Sequence, residues 1–168
     1  MRTTLTLFAL LVAVALLSNP CGAQQSVRTT SITGGTDDNR FEREVVAALK
    51  ARLGGTTRYQ VIASTEVAEL EVSVVCIDLS ESNRLNGGFC SYAFTYWPKE
   101  APGLSRQLGP IHLLSDPNAS SAGETVFQKL VEASSEAKLA VSLKEMETSA
   151  ELYVLLRNPT KSTKPTKP

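Results

Sequence analysis

The sequence predicts an α+β fold: an antiparallel sheet of three to five strands with an N-terminal amphipathic helix, a long C-terminal helix and one disulfide. Three features of the chain support this prediction. Apolar residues recur at helical spacing in two separate segments, β-rich runs lie between those segments, and two of the runs carry one cysteine each. The two cysteines therefore lie in segments that are candidates for neighbouring strands.

The first residues have the composition of a secretory signal peptide. Met1-Arg2 is followed by thirteen mostly apolar residues, 5–17, and then by the polar break Ser18-Asn19-Pro20. As a helix the apolar stretch would be about 20 Å long, which is too short to cross a bilayer. We expect this signal to direct export to the periplasm or the medium. Cleavage after Ala23 then removes residues 1–23 and leaves no integral membrane span.

The chain contains three cysteines. Cys21 directly follows Pro20, which is a poor context for lipoprotein processing, so we expect Cys21 to be discarded with the leader. The remaining pair, Cys76 and Cys90, is predicted to form a disulfide because exported proteins oxidise paired cysteines. The pair lacks the Cys-x-x-Cys spacing that is typical of redox enzymes.

The segment after the signal peptide, residues 24–38, is polar and rich in serine and threonine. We expect this segment to be a flexible leader or an edge strand. A single α+β domain is predicted over 39–157. Its first helix begins where Asn39 and Glu42 have the spacing of a capping box, and Gly54-Gly55 ends it. Four apolar residues recur every four positions along this helix: Phe41, Val45, Leu49 and Leu53.

Three β-rich runs follow, at 59–63, 70–79 and 89–97, and the two long ones predict a hairpin. If Cys76 lies opposite Cys90, the same register places valines opposite aromatic residues. The pairs are Val72 with Phe94 and Val74 with Tyr92.

A second register is also compatible with the sequence. Asn86-Gly87 is typical of a two-residue hairpin turn, and a turn there would place Cys76 opposite Trp97. The two registers exclude each other, because each strand residue has one partner on the neighbouring strand. We favour the disulfide register because it aligns apolar residues with aromatic ones.

In the disulfide register the second face of the hairpin is apolar too. It carries Val75, Ile77, Leu79, Phe89 and Trp97. A sheet with one face in water normally alternates apolar and polar residues, so both faces of this hairpin require cover, either from the chain's own helices or from a partner. These five residues are therefore the candidate partner-binding face.

The second half of the chain predicts a short strand at 111–114 and a helix that begins at Ser121, where Glu124 completes another capping-box spacing. Apolar residues continue at spacings of four and three to about Leu156, with a shift near Ser134-Ser135. This pattern indicates one long helix or a bent pair. The last residues, 158–168, are rich in lysine, proline and threonine, and we expect them to be disordered.

The residues offer no recognisable catalytic site. His112 is the only histidine, so a multi-histidine metal site is excluded, and we expect no metal and no cofactor. The chain has no phosphate-binding glycine loop and no serine-nucleophile elbow. It carries 17 basic and 17 acidic residues, and loss of Arg2 with the leader removes one basic residue, so nucleic acid is not an expected partner.

The element order over 39–156 resembles that of the small α/β interaction domains of bacterial periplasmic envelope proteins, such as the N-terminal domain of the translocation protein TolB. This resemblance rests on element order alone, implies a binding role in the envelope, and identifies no binding residue. We therefore expect an exported small binding protein whose partner is another envelope or secreted protein. The alternative is a hydrolytic or redox enzyme of unrecognised type.

Overall fold

A computed structural model describes residues 26–36, 38–64, 66–79 and 87–157. The signal peptide predicted at 1–23 and the tail predicted at 158–168 lie outside the described residues. Six strands and three helices are described: β1 (Arg28–Thr33), α1 (Arg40–Gly54), β2 (Tyr59–Val61), β3 (Leu70–Asp78), β4 (Gly88–Tyr96), β5 (Arg106–Gln107), β6 (His112–Asp116), α2 (Ala119–Ala133) and α3 (Glu136–Arg157). The predicted amphipathic helix is α1, but it is not the first described element, since strand β1 precedes it.

The sheet is mixed, so the predicted antiparallel sheet of three to five strands is wrong. The strand order is β2-β1-β3-β4-β5, and β6 also pairs with β4. β1 runs parallel to both of its neighbours, β2 and β3, whereas β4 is antiparallel to β3, β5 and β6. The parallel part arises because α1 connects β1 to β2 as a helical crossover.

β1 lies inside the sheet although its sequence is polar. It falls in the segment for which the sequence predicts a flexible leader or an edge strand. Thr30 is fully buried, and the buried Arg28 forms ion pairs with Glu69 and, at 2.6 Å, with Glu136 at the start of α3. The interior position of β1 is therefore compatible with its polarity because the buried guanidinium meets two carboxylates.

The hairpin prediction is confirmed. β3 and β4 pair with Cys76 opposite Cys90, and the two sulfur atoms form a disulfide. Val72 lies opposite Phe94 and Val74 opposite Tyr92, as the disulfide register requires. The competing register with Cys76 opposite Trp97 is therefore excluded.

Of the two predicted forms of the C-terminal helical segment, one long helix or a bent pair, the structure has a pair, α2 and α3, which are separated at Ser134-Ser135 where the sequence pattern shifts. α2 begins two residues before the predicted Ser121, because the Asn118 side chain caps it by accepting from the backbone N–H groups of Ser120 and Ser121. The break is held by Ser134, which is fully buried. Its hydroxyl donates to the carbonyl of Leu130 at 2.7 Å and lies 2.7 Å from the Tyr59 hydroxyl.

A buried carboxylate attaches α1 to the disulfide strand. Glu42 accepts hydrogen bonds from the backbone N–H groups of Gly35 at 2.6 Å, Thr36 at 3.1 Å and Cys76 at 2.7 Å. The Asn39 side chain, which caps α1, also donates to the carbonyl of Cys76 at 2.6 Å. The N–H and the C=O of Cys76 are therefore both bonded to side chains at the N-terminal end of α1, in the part of β3 that extends past its pairing with β1.

We expect Glu42→Ala to lower the free energy of unfolding by about 3 kcal/mol, because the buried N–H of Cys76 and the part-buried N–H groups of Gly35 and Thr36 lose their charged acceptor. Chemical denaturation followed by circular dichroism measures this loss. Glu44→Ala is the matched control, since Glu44 lies on the exposed side of the same helix and forms an exposed ion pair with Arg40. A Glu42→Ala protein as stable as the Glu44→Ala protein would contradict the role given to this carboxylate.

Candidate functional site

The described helices cover one face of the sheet. The buried side chains of α1, α2 and α3 join the even-numbered side chains of β3 and β4 in one hydrophobic core. Those strand residues are Leu70, Val72, Val74, Cys76, Cys90, Tyr92, Phe94 and Tyr96. Since successive strand residues point to opposite faces, the odd-numbered side chains lie on the other face, away from this core.

That other face carries an exposed apolar cluster, here called the outer patch: Val75, Ile77, Phe89, Ile111 and Leu113. The exposed fractions are 63% for Val75, 61% for Ile77 and 67% for Leu113, and Phe89 and Ile111 are also exposed. These values are high for large apolar residues in or beside the strands of a sheet. The outer patch is therefore a surface that no described part of the chain covers.

The structure places the five predicted face residues unequally. Val75, Ile77 and Phe89 lie together in the outer patch. Trp97 is 38% exposed but lies just beyond the far end of β4, and Leu79 is half-buried just beyond the end of β3.

Two members of the outer patch were not among the predicted face residues. Ile111 and Leu113 reach this face because β6 pairs with β4, with Leu113 opposite Ser91. The sequence predicts a strand at 111–114 but contains no local signal for its partner strand. The pairing of β6 with β4, which places Leu113 on the outer face, is therefore visible only in the structure.

The centre of the outer patch is uncharged. One row across the three strands reads Ile77, Phe89 and Ser115, and the next reads Val75, Ser91 and Leu113. Each row thus combines two large apolar side chains with one serine. A partner could cover this surface without burying an unpaired charge of this chain.

A groove of about 560 Å³ lies on the helix side, between the β5–β6 edge and helices α2 and α3. The His112 ring lines it and stacks on Tyr92, with ring centroids 5.1 Å apart. Lys129 and Lys138 share one carboxylate, Glu132, at 3.1 Å and 3.6 Å. The hydrogen bond from Lys129 and the charge of both lysines lower the pKa of Glu132, whereas burial raises the pKa of Tyr92.

The described ring contacts of His112 in the groove are aromatic. Within the described parts of the chain, its ring contacts are Tyr92 and, at 6.2 Å between centroids, Phe94. The sulfur atoms of Cys76 and Cys90 are bonded to each other, and both cysteines are buried. No described group therefore pairs His112 with a free thiol as nucleophilic catalysis would require.

In the part of the chain that the structure describes, no helix has both the length and the apolar character needed to cross a bilayer. Searches against protein-family models, curated proteins and solved structures found no match to this chain. Its function must therefore be inferred from the surfaces of the chain itself.

The two faces of β3 give a matched test within adjacent residues. Val74 is 1% exposed and Val75 is 63% exposed. We expect Val74→Thr to lower the free energy of unfolding by about 1–3 kcal/mol, because it buries a hydroxyl of nearly the same shape in the core. We expect Val75→Thr to change it by less than about 0.5 kcal/mol, as for ordinary surface positions. Equal losses in thermal or chemical denaturation would show that both faces are covered.

Proposed function

We propose that this chain is an exported binding protein without catalytic activity, and that it binds a partner protein through the outer patch. The observation that carries this proposal is the exposure of Val75, Ile77, Phe89, Ile111 and Leu113 on a face that no described helix covers. Contiguous apolar patches of this kind on small proteins are commonly interaction sites.

The outer patch is held on a rigid support. Val75 and Ile77 flank Cys76 on β3, and Phe89 precedes Cys90 on β4, so three patch residues are adjacent to the disulfide. Side chains on paired strands lose less conformational freedom on binding than side chains on loops. A preformed apolar surface of this type favours association with a complementary apolar surface.

The partner class follows from the character of the surface. Its centre is uncharged, and Phe89 supplies an aromatic ring at the junction of β3, β4 and β6. Interfaces between proteins are enriched in aromatic residues and depleted of charge at their centre. The proposed partner is another envelope or secreted protein that presents an apolar surface.

Export is the second part of the proposal. The disulfide between Cys76 and Cys90 supports it, because such bonds persist in oxidising compartments and are rare in reducing ones. The composition of residues 1–23 supports it independently. An exported, disulfide-bonded chain with an open apolar face fits a binding role in the envelope or outside the cell.

A photo-cross-linking residue in the outer patch identifies the partner. We expect such a residue at Phe89 to capture a specific protein from intact cells or from their medium. The same residue at Val67, which is 93% exposed on the connection before β3, is the control and should capture nothing specific. Identical products from the two positions would argue against the outer patch.

Binding of the captured partner can then be measured with purified proteins. We expect the double variant Val75→Thr/Ile77→Thr to raise the dissociation constant at least about tenfold, because polar side chains replace two apolar ones in the interface. Val67→Thr should bind like the unaltered protein. Unchanged affinity of the double variant, with its fold intact, would refute the proposed site.

A further inference from the structure

β6 is an edge strand. Within the described residues it pairs with β4 alone, and its other long side faces no strand. Edge strands present unpaired backbone donors and acceptors, and these can pair with a strand from another chain.

The hydrogen-bond alternation of the sheet shows which β6 groups face outward. Cys76 bonds through its N–H and C=O to α1 side chains, so these groups point away from β4. Leu108 donates to Phe94, which shows that the even-numbered residues of β4 bond towards the β5–β6 side. Leu114 lies opposite Cys90 and therefore bonds inward to β4. By alternation, the backbone groups of Leu113 and Ser115 point outward.

We propose that the free edge of β6 pairs antiparallel with β6 of a second copy of this chain, about a twofold axis at Leu114. In this register Leu113 lies opposite Ser115 of the second copy, and the outward N–H and C=O groups of both residues form about four backbone hydrogen bonds. The five residues of β6 then overlap completely.

A match between a hydrogen-bond donor and an acceptor selects the second copy as the occupant. The same register places His112 opposite Asp116 of the second copy, and the reverse pair forms by symmetry. Asp116 uses Oδ1 to accept from the N–H of Asn118 at 2.7 Å, and among the described residues its other oxygen has no hydrogen bond or ion pair. At each end of the paired strands, His112 of one copy therefore lies beside Asp116 of the other, on the face of the sheet that the helices cover.

The sequence also limits how far this pairing extends. Pro117, the next residue with outward parity, has no N–H to donate, and Pro110 lies just before the strand. The paired segment is therefore short, and each copy uses its β6 edge once. Such an isologous contact closes as a dimer instead of growing into a filament.

Pairing through β6 joins the two sheets and so joins the two outer patches. Ile111 and Leu113 of both copies lie on the same face of the joined sheet, next to the shared edge. The dimer would thus present a continuous apolar face about twice the size of one patch. This inference goes beyond the proposed function and does not depend on it, because it concerns backbone groups at the edge.

Amide hydrogen exchange tests the edge directly in the unaltered, disulfide-bonded protein. On raising the concentration from about 10 μM to about 1 mM, a range that spans weak association, we expect exchange at Leu113 and Ser115 to slow at least about tenfold. The inward amide of Leu114 should change little, because it is already bonded to β4. Outward amides that exchange equally fast at both concentrations would overturn the proposal.

A proline substitution tests the same edge by sedimentation. Ser115→Pro removes an outward N–H and no hydrogen bond within the sheet, so we expect a folded monomer at all concentrations. Ser115→Ala keeps the N–H and should show the twofold rise in mass expected of the unaltered protein. The exchange measurement needs no variant and decides the question even if Ser115→Pro does not fold.

The two surfaces can be separated with the outer-patch variant. Val75→Thr/Ile77→Thr should still form the dimer, since it leaves the β6 edge unchanged. A dimer that survives Ser115→Pro and is lost in this double variant would place the contact on the outer patch and overturn the edge pairing. Loss of partner binding without loss of the dimer would instead be the result expected if both proposals hold.

Discussion

The pairing register of β3 and β4 is the constraint on which the other features of this protein depend. Side chains alternate between the two faces of a strand, so a shift of one residue would exchange Val74 with Val75 and the core with the solvent. The Cys76–Cys90 disulfide allows one register only. In the chain-entropy picture, closing a loop of about 15 residues also contributes on the order of 3 kcal/mol by constraining the unfolded chain.

The helices use this register on one side of the sheet and leave the other side open. Glu42 and Asn39 bond to the backbone of Cys76, which positions α1 against the same strand that carries the disulfide. α2 packs closely against α1, since a Cβ on Gly123 would collide with the backbone of Val45. Cover is thereby concentrated on the even-numbered face, and the apolar residues of the odd-numbered face stay exposed. The proposed binding role follows from this asymmetry.

The hairpin could be predicted from sequence because its determinants are local to two strands: a cysteine pair and a matching row of apolar and aromatic residues. β1 could not be placed inside the sheet, since its polarity is compensated by Glu69 and Glu136, which are distant in sequence from Arg28. The sequence indicated the position of the break after α2 but left one long helix and a bent pair open, since the contact at the break joins the Ser134 hydroxyl to that of a distant residue, Tyr59. For the same reason the sequence indicated only part of the outer patch, because Leu113 joins it through pairing between β6 and β4.

Nuclear Overhauser effects between Hα protons across β3 and β4 test the register most directly. Residues of a non-hydrogen-bonded antiparallel pair bring their Hα protons close together. We expect strong effects between Val72 and Phe94 and between Val74 and Tyr92, in protein whose Cys76 and Cys90 are oxidised. An Hα contact between Cys76 and Trp97 would show the alternative register, and the division between a covered and an open face described for this sheet would then be incorrect.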